Sequence, residues 1–567
     1  MKALLVGINA KYIHTNLAIR YLYTYTHPQF DVDFCEFTIK DKPSRMVEEM
    51  LRHKPDLIGF SCYIWNIEVV LKLVSELKKM NPKIYILLGG PEVSYDATYF
   101  LNHYPIDFII SGEGEYPFYK LMQALTEHQS LQNVPQLYYK TNSNIVYNKD
   151  EFIVNIDELP SPYRLERDIP HLKNRIQYIE SSRGCPYRCS YCLASLEKNV
   201  RQFDAEKVKD EIRYLMANGA KVFKFLDRTF NMRKDYALDM FEFIIREHQP
   251  GCVFQFEISG DLLNEEIIDY LNKNAPKGLI RFEMGIQSTN PLTNRLVLRV
   301  QNNDKLFSNI KKIHEGDKII LHLDLIAGLP KEDYQSFQKT FNDVFQLRPQ
   351  ELQLGFLKML RGTKLRLEAN LYDYSFDENP PYEVIKNDVI TKEELDRIRA
   401  AEFILDKYYN TYRVPHTFEY LFKYIYPDNP YLFFESFGLY WLERYETTGY
   451  QHHDLYMRLD QFLFKHHYQD YDALHSLIIF DYLKNQKMRP TIWYTSQIDR
   501  SIKHRLFTSL IDQHPELNLD CLHRYARVEP LCIHPMTYDK ETTYLIKLFH
   551  PKNNTFYLLS KKAIDSE

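Results

Sequence analysis

The chain has 567 residues, 45% apolar and 26% charged, with a formal net charge of -5. That length corresponds to roughly three to four domains with ample core, which excludes collagen-like, disordered and disulfide-stapled miniature classes. The slightly acidic balance offers no bulk attraction to nucleic acid or anionic membrane; only a local basic patch would supply one. Eight cysteines in so long a chain, three of them crowded together, do not make a disulfide framework.

The opening "MKALLVGINAKYIH" reads as a buried strand rather than a signal peptide. No apolar run approaches the roughly 18 to 20 residues of a membrane span, so a soluble, intracellular protein in a reducing cytoplasm is expected. From residue 1 to 140 strands and amphipathic helices alternate: "KALLVGI", "DVDFCEF", "PDLIGFSCY", "KIYILLGGPE" and "DFIISGEGE" are strands, separated by segments such as "NIEVVLKLVSELKKMNP". Near-continuous apolar strands between helices predict a parallel, doubly wound sheet, whose ligands sit outside the carboxyl ends of the strands.

Residues 141–175, polar and holding Pro160, Pro162 and Pro170, read as a linker with one hairpin. A second alternation fills 176–375, from "RIQYIESSRGC" through "KVFKFLDRTFN", "CVFQFEISGDLL", "LIRFEMGIQS" and "KIILHLDLIAGLP" to "ELQLGFLKML". Six strand and helix units predict a partial α/β barrel rather than a closed eightfold one, with its active site at the C-terminal rim. "YDYSFDENPPYEV" marks a boundary near 376, and 376–567 is helix-rich and aromatic, ending in a hairpin of "YLIKLFH" and "TFYLLS" across "PKNN". Its aromatics, such as Tyr420, Phe437 and Trp441, read as core rather than as platforms for nucleobases.

The segment "RGCPYRCSYC" places Cys185, Cys189 and Cys192 in a loop directly after the first barrel strand, where catalytic groups collect. Three thiolates on a [4Fe–4S] cube leave one iron without a protein ligand, and reactive metal sites keep such an open position. The alternative is a zinc site completed by a distant fourth ligand such as His171 or Cys252. At other strand ends lie Asp227, Glu257, Ser259, Glu283, Gln287 and His322; alternation puts Glu283, Gly285 and Gln287 on one face.

"RGCPYRCSYC" resembles the motif of the radical S-adenosylmethionine (SAM) superfamily. The resemblance implies that SAM chelates the open iron and that one electron from the cluster cleaves it to a 5'-deoxyadenosyl radical, with a reductant such as flavodoxin or ferredoxin as donor. Tyr191 matches the aromatic that packs near the adenine, and Asp227, Glu257, Ser259, Glu283, Gln287 and His322 become candidate SAM contacts.

A doubly wound domain ahead of such a barrel resembles the cobalamin-dependent radical SAM enzymes over residues 1 to 375. It implies cobalamin held by Ser61 and Tyr63 of "SCYIWN", by Gly89, Gly90, Pro91 and Glu92 of "LGGPE", and by Gly112, Glu113 and Gly114 of "SGEGE". The Asp-x-His-x-x-Gly motif that supplies a cobalt ligand is missing, so the base-off form without a histidine ligand is implied, with Tyr12 and His14 as candidates to face the cobalt. Methyl transfer to an unactivated carbon, through methylcobalamin and the deoxyadenosyl radical, is the expected reaction. Alternatives are a radical SAM enzyme of another type, performing cyclisation, rearrangement or methylthiolation without cobalamin, and an iron-sulfur sensor or scaffold. The substrate class, whether small molecule, peptide or RNA, is not legible.

Overall fold

In the computed structural model, strand β1 (Lys2–Asn9) is buried from Ala3 onward, because it is an inner strand of a sheet with helices on both faces. The structure describes residues 1–141, 144–149, 154–197, 199–551 and 554–562. They divide into two units: residues 1–340, 347–350 and 354–392 form the first, and 341–346, 351–353 and 393–567 the second.

The first unit contains two sheets. In one, β1, β2 (Asp31–Thr38), β3 (Leu57–Ser61), β4 (Tyr85–Gly89) and β5 (Phe108–Ile110) run parallel, while β6 (Leu137–Lys140) and β7 (Ile145–Tyr147) are antiparallel additions. Its order is β2-β1-β3-β4-β5-β6-β7, so the chain reverses direction across the sheet between β1 and β3, the switch point where doubly wound folds bind ligands. The covering helices follow the expected period: in 67–80 the buried residues Ile67, Val70, Leu73, Val74 and Leu77 form one stripe.

The second sheet takes β8 (Ile176–Ile179), then, after the two-stranded pair β9 (Ser182–Arg183) and β10 (Arg201–Gln202), β11 (Val222–Phe225), β12 (Val253–Glu257), β13 (Ile280–Gln287), β14 (Ile320–Ala327) and β15 (Glu351–Phe356). Its order, β15-β14-β13-β12-β11-β8, is the open six-stranded partial barrel expected. Strand β13 alternates strictly: Ile280, Phe282, Met284 and Ile286 are buried against helices, while Arg281, Glu283, Gly285 and Gln287 share the inner face.

Two boundaries differ from expectation. The stretch read as a linker is fastened down: β7 joins the first sheet, and Arg20 holds Asp168 at 2.7 Å while Arg167 holds Asp33 at 2.8 Å. Part of its expected hairpin, residues 150–153, lies outside the described residues. The first unit also continues past 376, because the proline-rich stretch is a turn between β16 (Ser375–Phe376) and β17 (Val384–Lys386). That turn is pinned by the Met359 amide on the Tyr382 carbonyl at 2.8 Å and the Val384 amide on the Leu357 carbonyl at 2.9 Å.

The second unit is helical, with a three-stranded antiparallel sheet of β18 (Ala526–Leu531), β19 (Thr543–Leu548) and β20 (Phe556–Ser560). The last two strands are the expected hairpin; Lys552 and Asn553 of its turn lie outside the described residues. Helix Pro430–Arg444 buries Phe433, Phe434, Phe437 and Trp441, and Phe437 stacks on Phe462 at 4.8 Å. Tyr420 is buried as well, so all three aromatics weighed as nucleobase platforms are core.

Candidate active site

The cysteine loop owes its shape to Gly184. Its φ of 92° lies in the left-handed region, and the Asn199 carbonyl fills the space a Cβ would need, so the chain turns there only as glycine. Beyond it, Cys185 and Cys189 are buried and Cys192 half-buried, all three as free thiols. Backbone bonds hold the loop: Ser190 donates to the Val297 carbonyl at 2.9 Å and Cys192 to the Cys189 carbonyl at 3.1 Å.

No three His, Cys, Asp or Glu side chains among the described residues converge on a single metal ion. The distant ligands considered for a zinc site are engaged elsewhere. Cys252 is buried at the opposite end of β12, its thiol 3.8 Å from the Ala220 carbonyl, and His171 bonds Tyr12 at 3.0 Å. Three free thiols within eight residues of one loop suit a cluster whose irons each take one thiolate.

Sequence reasoning missed Arg299. Its Nη1 lies 3.9 Å from the Cys189 sulfur and 3.4 Å from the Tyr191 hydroxyl, and Nη2 donates to the Gly285 carbonyl. Its neighbours Leu298 and Val300 are exposed, Val300 at 75%. This loop turns its charge inward and its apolar side chains outward, the reverse of the pattern by which sequences are read.

Inside the barrel, Lys224 sits 3.0 Å from Glu283 and 3.8 Å from Glu257, and Gln255 donates to Glu283. Burial opposes ionisation of Glu283, yet Lys224 holds its carboxyl below the usual range. Glu257 lacks so close a cation, and burial together with the Glu283 charge pushes it up to about 6. His322 Nε2 lies 2.9 Å from Asp324, and its Nδ1 lies 2.9 Å from Arg281. At the rim, Tyr187 donates to the Ser259 hydroxyl at 3.3 Å. Gln287 keeps a buried Oε1 without a hydrogen-bond partner among the described residues, a vacancy that suits a ligand donor.

Asp227 is placed differently from the other strand-end residues. It is buried and accepts from the Ser181 amide at 3.1 Å, the Ser181 hydroxyl at 2.7 Å and the Ser182 hydroxyl at 2.5 Å. These bonds fix the segment entering the cysteine loop.

The candidate cobalamin residues gather at the carboxyl ends of β1, β3, β4 and β5. Tyr63 and Trp65 stack at 4.4 Å and 6°, with Trp65 48% exposed, and Tyr12 is 50% exposed. An apolar aromatic wall left open at the switch point fits a large flat ligand. Ser61 accepts from the Asn16 side chain at 2.8 Å. Gly89 has open space before it, since an added Cβ would meet only the Ile110 carbonyl at 3.8 Å. Gly90, at φ 107°, allows no side chain, because a Cβ would lie 2.6 Å from the Cys62 carbonyl; Pro91 then opens the short helix Pro91–Ser94.

Besides Tyr12 and Ser61, three more of these residues have protein partners. Glu92 is buried, accepts from the Tyr382 hydroxyl and lies 3.6 Å from Arg361. Glu113, between Gly112 and Gly114, pairs with Arg201 and lies 3.4 Å from Arg183. His14 shares a 2.7 Å hydrogen bond with Tyr178.

Comparison with known proteins agrees with this geometry. A family model described as "B12 binding domain" matches residues 3–122, one described as "Radical SAM superfamily" matches 179–344, and one described as "Protein of unknown function (DUF4080)" matches 370–550. The chain is 25% identical over 362 residues to an uncharacterized methyltransferase, PH0819, of Pyrococcus horikoshii, covering 62% of this chain and 77% of that protein. It is 23% identical over 397 residues to the cobalamin-dependent radical SAM methyltransferase TokK of Streptomyces tokunonensis, covering 66% of this chain and 56% of that protein. Among solved structures it resembles the radical SAM methyltransferase TsrM of Kitasatospora setae with cobalamin and a [4Fe–4S] cluster bound, at a TM-score of 0.57 and 16% identity, over 67% of this chain and 79% of that one. No helix among the described residues is long and apolar enough to cross a membrane. The chain joins a B12-binding domain to a radical SAM domain, and a [4Fe–4S] cluster, SAM and cobalamin are the cofactors those two domains take.

Proposed function

We propose that this enzyme transfers a methyl group from SAM, by way of cobalamin, to an unactivated carbon of its substrate. The observation that carries the reading is the contact between the two cofactor regions: Arg183 and Arg201 of the cysteine loop's base pair with Glu113 and Glu115 of the turn after β5. When bound, the cluster, SAM and cobalamin supply a carbon-centred radical and a transferable methyl group.

The chain's own residues then bind, orient and shield. Cys185, Cys189 and Cys192 anchor the cluster, while Glu257, Ser259 and Gln287 offer the acceptors and donors that orient SAM. The Tyr63–Trp65 wall gives the crevice an apolar face that a flat cofactor would cover, shielding both from water. The first domain has only Cys35 and Cys62, and Cys62 is fully buried, which disfavours an auxiliary cluster there and with it methylthiolation. Cluster chemistry needs a one-electron donor, for which flavodoxin or ferredoxin in a reducing cytoplasm is suited.

The test supplies anaerobically reconstituted protein with cobalamin, a reductant, cell extract and SAM carrying a deuterated methyl group. Label entering a carbon-bound methyl of one product, together with deoxyadenosine, is expected. Deoxyadenosine with every product unlabelled would assign another radical reaction, such as cyclisation.

A further inference from the structure

The Arg183 guanidinium binds three carboxylates from two parts of the fold. Its Nη2 lies 2.7 Å from Glu115 and 3.1 Å from Glu180, its Nε 3.1 Å from Glu180 and its Nη1 3.4 Å from Glu113. The side chain is 9% exposed and that of Glu115 6%. Arg201, cross-strand partner of Arg183 in the β9–β10 pair, holds the other side of Glu113 and donates to the Val154 carbonyl at 3.1 Å.

We propose that Arg183 couples the two metal cofactors, so that seating the cluster pre-organises the Gly112–Glu115 turn for cobalamin and bound cobalamin in turn steadies the cysteine loop. The coupling rests on the assignment of that turn to cobalamin made above. Only Gly184 separates Arg183 from Cys185, and the Asn199 carbonyl packed against Gly184 leaves that joint no slack. A planar guanidinium with five donors fixes the angles of the carboxylates it binds, which a point charge does not. Displacement of Cys185 in a loop without its cluster therefore moves Glu113 and Glu115. These two acids flank Gly114, and Glu113 follows Gly112 directly, so the cobalamin turn moves with them. Coupling between two binding sites is reciprocal.

The test measures cobalamin affinity by absorbance on the full-length protein, once with the cluster reconstituted and once after its removal. In the wild type the cluster should tighten cobalamin binding about 5- to 150-fold, the usual range for coupled sites. In Arg183→Lys, which keeps the charge and loses the fork, and in Glu115→Gln, that ratio should fall toward one. Glu115→Gln carries the test alone should Arg183→Lys not fold. A wild-type ratio of one, or variants that keep the wild-type ratio, overturns the coupling. A wild type that binds no cobalamin in either state overturns instead the assignment on which it rests.

Discussion

The Tyr178 hydroxyl and Nδ1 of His14 lie 2.7 Å apart, joining the loop after β1 to the edge strand of the second sheet. Two further bonds secure the joint: the Ile176 amide to the Ile13 carbonyl at 2.8 Å and the Thr15 hydroxyl to the Ile176 carbonyl at 2.7 Å. Burial, then the charges of Lys11 and Lys224, lower the His14 pKa below its ordinary 6.5. The fold therefore binds this proton less readily than the unfolded chain does. Stability from His14 is fully present above pH 6.5 and is lost as pH falls from there through the lowered folded pKa. Thermal midpoints measured across that range should fall less steeply for His14→Gln than for the wild type.

Cys189→Ala should abolish deoxyadenosine formation and leave a cluster-deficient protein, while the fold loses about 1 kcal/mol. Product chromatography, iron content and denaturant unfolding check the three outcomes. Deoxyadenosine at wild-type levels would contradict the cluster assignment.

Glu257 holds a folded pKa of about 6 against an ordinary 4.5. Because the folded state keeps this proton longer, its contribution to stability falls as pH rises between those values. For SAM the direction is opposite under the proposed role of Glu257: an ionised carboxylate accepts, so affinity should weaken as pH drops through about 6. Glu257→Gln should remove both dependences, which titrating SAM at several pH values against wild type and variant will read out.

Gly90→Ala forces a side chain into positive φ and against the Cys62 carbonyl. A loss of about 1–3 kcal/mol is expected, with cobalamin affinity weakened further because the turn after β4 shifts. Equilibrium unfolding and cobalamin absorbance measure the two effects separately.

Both sheets and the cluster loop were legible because their signals are local. Periodicity along "EVVLKLVSEL" and alternation along "IRFEMGIQ" are set by immediate neighbours and survive folding unchanged. The partners of the charged residues were not legible. Glu92 meets Tyr382 and Arg183 meets Glu115 across 290 and 68 positions of sequence, distances over which no pattern in the string carries geometry. Asp227 sits at a strand end as expected, and the Ser181 and Ser182 hydroxyls that bond its oxygens come from a segment 45 and 46 positions away. Arg299 escaped notice because exposed Leu298 and Val300 give its loop the look of an interior segment.

The stacked Tyr63–Trp65 pair also makes the molecule self-reporting. Of the three tryptophans, Trp65 alone belongs to the first unit, while Trp441 and Trp493 belong to the second. A corrin settling against that indole would absorb its emission, so intrinsic fluorescence divides into one signal that follows cofactor loading and another that follows the integrity of the aromatic helical unit. Trp65→Phe would leave only the second signal, and titrations of cofactor and denaturant could then be read separately on the unlabelled protein.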